Sequence, residues 1–146
     1  MTNYTLTVYI TQLNQKHGFR SVYTLTVYMV LVTKYRRKAI NAAMLNRLKE
    51  IFTETCNKWE CTLVEFNGES DQVHLVVNFS PQVQSKLIAN LKTVSSRLLR
   101  KEFQLEIERI YSKPVLWSGS YFVASCGGVT IQTLRKYVEG QASPFP

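Results

Sequence analysis

The chain has 146 residues, 45% of them hydrophobic, and no apolar run near the length of a membrane-spanning helix, so it reads as one globular domain able to bury a core. Eighteen lysines and arginines against ten aspartates and glutamates give a net charge of +8, which favours a polyanionic partner such as nucleic acid. Cys56, Cys61 and Cys126 are odd in number and lack metal-type C-x-x-C spacing, and Met1 to Ile10 has no basic-then-apolar secretory pattern; small buried hydrophobes in a reducing cytoplasm are the simpler reading.

Tyr4-Thr5-Leu6-Thr7-Val8-Tyr9 recurs letter for letter as Tyr23-Thr24-Leu25-Thr26-Val27-Tyr28. Both copies alternate as strands, and Gln15-Lys16-His17-Gly18 between them is a turn signal, so a hairpin and a duplicated strand without functional meaning fit equally. Residues 1–20 are expected as an N-terminal extension or extra strand of a single domain spanning 1–146, with His17 a solvated loop residue. The second copy continues through Met29-Val30-Leu31-Val32 as a long strand that stops at the basic cluster Lys34-Tyr35-Arg36-Arg37-Lys38.

Met44, Leu48, Ile51, Phe52, Thr55 and Trp59 recur at helical spacing and predict a helix with Trp59 in the core. Cys61 to Phe66 reads as a strand, Asn67-Gly68 as a turn, and Gln72 to Phe79 as the returning strand. In that second strand Gln72, His74, Val76 and Asn78 share one face while Val73, Leu75, Val77 and Phe79 share the other. One face is core, and the other carries potential ligands.

After Pro81, Leu87, Leu91, Val94 and Leu98 form the apolar stripe of a long helix from Val83 to Phe103. Lys86, Asn90, Thr93, Arg97 and Lys101 line another face, which an ordinary solvated surface explains. Glu106 to Tyr111 extends the helix before Pro114, Ser120 to Ser125 is a further strand ended by Gly127-Gly128, and Thr130 to Gln141 is the last helix. The order matches the ferredoxin-like βαββαβ arrangement: an α+β fold with an antiparallel sheet, helices on one face, and a C-terminal tyrosine-bearing helix added. The second hairpin strand is then central, with Gln72 and His74 expected on the open side of the sheet.

In the last helix Ile131, Leu134 and Val138 make the buried stripe, while Thr133, Tyr137 and Gln141 step along a neighbouring face. A phenol can attack phosphorus and hold the phosphate as an ester if a cation offsets the charge on the nonbridging oxygens; Arg135 and Lys136 lie beside Tyr137. Packing at the edge of the core is the commoner fate of a lone tyrosine.

Five segments in order carry a resemblance: Thr33 to Lys38, Asp71 to Val77, Ser95 to Phe103, Leu116 to Phe122 and Lys136 to Gln141. Together they resemble the single-tyrosine HUH transposases, the TnpA-type enzymes of small bacterial and archaeal insertion sequences. The resemblance implies that Tyr137 is the nucleophile, that His74 is the second histidine of the His-hydrophobic-His motif, and that Gln141 is the polar residue one turn after the tyrosine that joins the metal site. Gln72 stands where the family has the first histidine. Its carbonyl oxygen can ligate Mg2+ or Mn2+ but lacks the affinity of imidazole for softer metals.

The family further implies cleavage and rejoining of single-stranded DNA through a 5'-phosphotyrosine intermediate, recognition of hairpin ends, and a homodimer in which the tyrosine helix can complete the partner's site. Lys34, Tyr35, Arg36 and Arg37 beside the sheet, and Arg97 and Arg100 on the long helix, suit DNA binding by backbone cations and stacking rings. Arg100 can instead pair with Glu139 or Glu102, and Tyr35 can simply pack. The other functional class is a noncatalytic or catalytically impaired module that binds single-stranded nucleic acid. It lacks the aromatic-rich strand face such modules use for stacking. A cytoplasmic location, with nucleoid association on DNA, goes with either reading.

Overall fold

The computed structural model describes residues 25–79 and 84–125. The expected hairpin of residues 4–28 lies outside them except for its last four residues, as do the C-terminal helix and Cys126. Strand β1 is Leu25–Thr33, helix α1 Ala42–Lys58, β2 Thr62–Gly68, β3 Gln72–Phe79, α2 Gln84–Glu102, α3 Gln104–Glu108 and β4 Trp117–Ser125. A single 3-10 turn, Lys34–Arg36, follows β1. The strands form one antiparallel sheet in the order β2-β3-β1-β4, the split βαβ topology with β3 central.

Alternation along the strands sends Val27, Met29, Leu31, Val73, Leu75, Val77 and Val123 to the helix side. There they meet Met44, Leu48, Ile51, Phe52 and Cys56 of α1 and Leu87, Leu91 and Leu99 of α2. The stripe of α1 therefore falls where its spacing predicts, and Asn41 starts the helix by accepting the Met44 amide at 2.9 Å. Trp59 ends as the residue capping α1, half-buried, with Nε1 donating to Asn90 Oδ1 at 3.4 Å. Burial pushes the Cys56 thiol up to about 12 and raises that of Cys61, so both behave as small hydrophobes.

Three expectations are corrected. Asn67 and Gly68 close β2, and the hairpin turns at residues 69–71 with the Glu69 amide donating to Gln72 O at 2.8 Å. Gly68 marks a close approach: a side chain there would collide with Leu45 of α1 and Val73. The helix over 83–103 stops at Glu102, because Phe103 leaves the helical region (φ -120, ψ 42), and α3 is a separate short turn of helix. Finally, the sheet face opposite the helices carries a second buried cluster, Tyr28, Val30, Val32, Val76, Phe122 and Ala124. The unbroken apolar run of β1 from Val27 to Val32 is what a strand buried on both faces requires. Among the described residues no helix is long and apolar enough to cross a membrane.

Glu102 pairs with Arg47, which donates through Nε at 2.7 Å and Nη2 at 3.0 Å and so ties the end of α2 to α1. The hydrogen-bonded guanidinium holds the Glu102 carboxyl below its ordinary value of 4.5. A carboxyl with a depressed folded pKa stabilises above its unfolded pKa and loses that contribution as pH falls through the folded one. Glu102→Gln is therefore expected to cost only about 0.5 kcal/mol at neutral pH, because both side chains stay partly in water. In urea unfolding its deficit should close on acidification below pH 4.5.

Candidate functional site

The register of β3 against β1 sets Val30 opposite His74 and Tyr28 opposite Val76. Tyr28 is thus the diagonal neighbour of His74 on the same face, and its hydroxyl lies 2.6 Å from His74 Nδ1. Their rings stack at 5.9 Å, and Phe122 meets Tyr28 edge-on at 6.4 Å. His74 is only 9% exposed, so the expectation of an open strand face fails at this position. Two residues back along the strand, Gln72 is half-buried, and its Nε2 donates to Glu69 Oε2 at 2.9 Å. At the far end Thr26 Oγ1 donates to Asn78 Oδ1 at 2.6 Å.

Gln72 and His74 therefore share a strand face, each with one nitrogen engaged by a neighbour. The other heteroatom of each, Gln72 Oε1 and His74 Nε2, is a metal-donor type, and one oxygen with one imidazole nitrogen suits Mg2+ or Mn2+ better than a thiophilic ion. As partial donors these two residues fit such a cation. Among the described residues no cluster of three or more His, Cys, Asp or Glu exists that could hold a metal by itself. Tyr137 and Gln141 lie outside the described residues.

The basic turn after β1 is built rigidly. Thr33 Oγ1 donates to Arg37 O at 2.6 Å, the Lys34 amide to Leu116 O at 2.8 Å, and Tyr111 Oη to Lys34 O at 2.6 Å. Arg37 Nη1 donates to Ile110 O at 2.5 Å. Within this frame Tyr35 and Arg36 take left-handed φ values of 60 and 53, a conformation that costs a non-glycine residue about 1 kcal/mol or more. The Tyr35 ring consequently stands 71% exposed, with Lys34 Nζ and Arg37 Cζ 5.4 and 5.2 Å from its centroid. Tyr35 does not pack into the core.

Between α2 and the segment that follows α3, Arg97, Arg100 and Lys101 border a groove of about 710 Å³. Tyr111, Ser112 and Lys113 line both that groove and one of about 480 Å³ bordered by Lys34, Tyr35 and Arg37. The two groups of cations singled out from the sequence therefore edge one continuous surface. Arg36 is the exception, turning instead to Asp71 at 3.5 Å beside the start of β3. Arg100 donates to Ser96 Oγ at 3.1 Å; of its two alternative partners, Glu102 goes to Arg47 and Glu139 lies outside the described residues.

Sequence reasoning missed Lys92, Lys113, Tyr28 and Glu69. Lys92 Nζ donates to Ser118 O at 2.8 Å, where β4 slips register against β1, and sits 5.0 Å from the Tyr121 ring centroid. Burial first and Lys34 second lower its pKa, so an anion beside both cations would relieve their repulsion. Its place on α2 next to the stripe residue Leu91 was the available signal. Tyr28 and Glu69 gave none, since their roles depend on a pairing 46 residues apart and on a hairpin turn.

No curated protein matches the chain. Among solved structures it is similar to the crystal structure of a "putative transposase" from Deinococcus radiodurans R1, at 27% identity and a TM-score of 0.69. That match covers 85% of this chain and 95% of the other. A family model described as "Transposase IS200 like" matches residues 21–141, which takes in the strand pair, the basic turn and Tyr137. The chain belongs to the IS200-like transposases.

Proposed function

We propose that this transposase cuts and rejoins single-stranded DNA at the hairpin-bearing ends of an insertion sequence, with Tyr137 as nucleophile. The observation that carries the reading is the pairing of Gln72 and His74 on one strand face in a chain of this family. The Tyr137 phenol oxygen attacks the scissile phosphorus, and the bond from phosphorus to the 3' oxygen breaks. The phenolic proton leaves as the 5'-phosphotyrosine forms, and the departing 3' oxygen gains a proton to become a free hydroxyl. A 3' hydroxyl later attacks the same phosphorus, restores the phosphodiester and returns the tyrosine.

His74, Gln72 and Gln141 are the proposed holders of Mg2+ or Mn2+. Such an ion, when bound, offsets charge on the nonbridging oxygens. Lys34, Tyr35, Arg37, Arg97 and Arg100 are assigned to DNA, with Lys92 and Lys113 added to them, because they edge one surface. Arg36 belongs to the DNA set beside β3 rather than in the groove. The active species is a homodimer in which the Tyr137 helix can complete the partner's site, working in the cytoplasm and at the nucleoid when on DNA.

A specific observation supports a second reading, a DNA-binding protein impaired in cleavage: His74 is only 9% exposed, and by the resemblance Gln72 stands in place of the first motif histidine. One experiment separates the two. With a single strand carrying the element's own end and Mg2+ or Mn2+, the wild type should yield a covalent protein–DNA adduct on a denaturing gel, and Tyr137→Phe should abolish it. An adduct formed by Gln72→His but not by the wild type selects the impaired reading.

Binding itself has an independent signature. Replacing Arg97 and Arg100 by Gln should lower the slope of log affinity against log salt by roughly 1.4, about 0.7 for each phosphate contact to a single strand. Fluorescence anisotropy across a salt series measures it, and an unchanged slope removes these residues from the interface.

A further inference from the structure

Resting on the metal-site reading above, we propose that Tyr28 and Glu69 are positioning residues: they hold His74 and Gln72 so that His74 Nε2 and Gln72 Oε1 are the coordinating atoms. Side chains that bind metals through one atom are commonly oriented by a hydrogen bond at the other. Both members of the strand pair have such a contact. The Tyr28 hydroxyl lies 2.6 Å from His74 Nδ1, and Glu69 Oε2 accepts from Gln72 Nε2 at 2.9 Å.

The two contacts solve different problems. A neutral imidazole carries its proton on one nitrogen only, and coordination through Nε2 requires that proton on Nδ1. In that tautomer the Tyr28 oxygen accepts it, and the Tyr28 ring is itself held in place by full burial and by Phe122 edge-on at 6.4 Å. An amide has two ends of nearly equal size and opposite polarity, and the wrong one turned toward a cation repels it. Glu69 can only accept, so it selects the NH2 end and fixes where the carbonyl oxygen stands. An imidazole at position 72 would need its tautomer chosen instead; with the glutamine of this chain, the choice that Glu69 settles is between the oxygen and the NH2 end.

The experiment uses the full chain, first without metal. The sequence holds only two histidines, His17 and His74, so His17→Gln assigns the imidazole signals in 15N-labelled protein. At a pH where the ring is neutral, His74 should carry its proton on Nδ1, and Tyr28→Phe should move the population toward Nε2. A wild type protonated on Nε2, or a tautomer that Tyr28→Phe leaves unchanged, overturns the role of Tyr28.

Mn2+ binding is then read by electron paramagnetic resonance. Tyr28→Phe and Glu69→Ala should each weaken it by about 10- to 100-fold. Glu69→Gln should restore most of the loss, since the introduced amide oxygen still accepts from Gln72. If Glu69→Gln loses as much as Glu69→Ala, Glu69 acts through its charge or as a ligand, and its positioning role is overturned. If the wild type binds no Mn2+ while the Nδ1 tautomer is present and lost in Tyr28→Phe, the orientation of His74 by Tyr28 is supported and the metal-site reading fails instead.

Discussion

Register between β1 and β3 is the constraint on which the rest of this molecule depends. It sets Val30 against His74, Tyr28 against Val76 and Val32 against Gln72, and with a side-chain period of two a slip of one residue would exchange the two faces of the pair. His74 would then enter the helix-side core, and Val73 and Leu75 would leave it. Two apolar clusters oppose that slip from both sides, one under the helices and one built from Tyr28, Val30, Val32, Val76, Phe122 and Ala124. Burial on both faces makes the central pair costly to shift and explains how two polar side chains can be held in place in it.

The basic turn depends on the same pair, because it begins where β1 ends. Thr33 is fully buried, its amide donates to Asp71 O at 3.0 Å beside the start of β3, and its hydroxyl reaches Arg37 O. Tyr111 and Leu116 then hold Lys34 from the other side of the loop. So many fixed bonds on either side can sustain two left-handed residues, Tyr35 and Arg36, that a loose loop would relax. The outcome is a basic, aromatic ridge whose position relative to β3 is set by backbone hydrogen bonds together with the buried Thr33 and Tyr111 hydroxyls.

Periodicity made much of this legible. The stripe Met44, Leu48, Ile51 and Phe52 and the bounds Gln72 to Phe79 are local patterns, and the structure contains both. The order of elements was enough to place β3 in the middle of the sheet. What failed was non-local. Gly68 looked like half of a turn because the approach of Leu45 from α1 is invisible along the chain. The face bearing His74 looked open because Gln72, His74 and Asn78 were read without their partners on β1, whose valines already signalled burial. Of the candidate site, alternation revealed the polar pair, the basic clusters showed as runs of charge, and the contacts of Tyr28 and Glu69 required a fold.

Gln72 changes the demands on the site more than its charge. Neutral imidazole and neutral amide contribute equally little toward balancing a divalent ion, so on the proposed metal reading the compensating negative charge comes from elsewhere: the DNA phosphate, with Glu69 hydrogen-bonded to Gln72 nearby. The hardness of the donor and its freedom to turn do change. An oxygen donor moves preference toward Mg2+ and Mn2+, and an amide that flips presents hydrogens where an oxygen is needed. On that proposed reading, a glutamine ligand depends on the residue that keeps its amide from turning, and Glu69, at the hairpin tip beside it and hydrogen-bonded to Gln72, is in the position to do so.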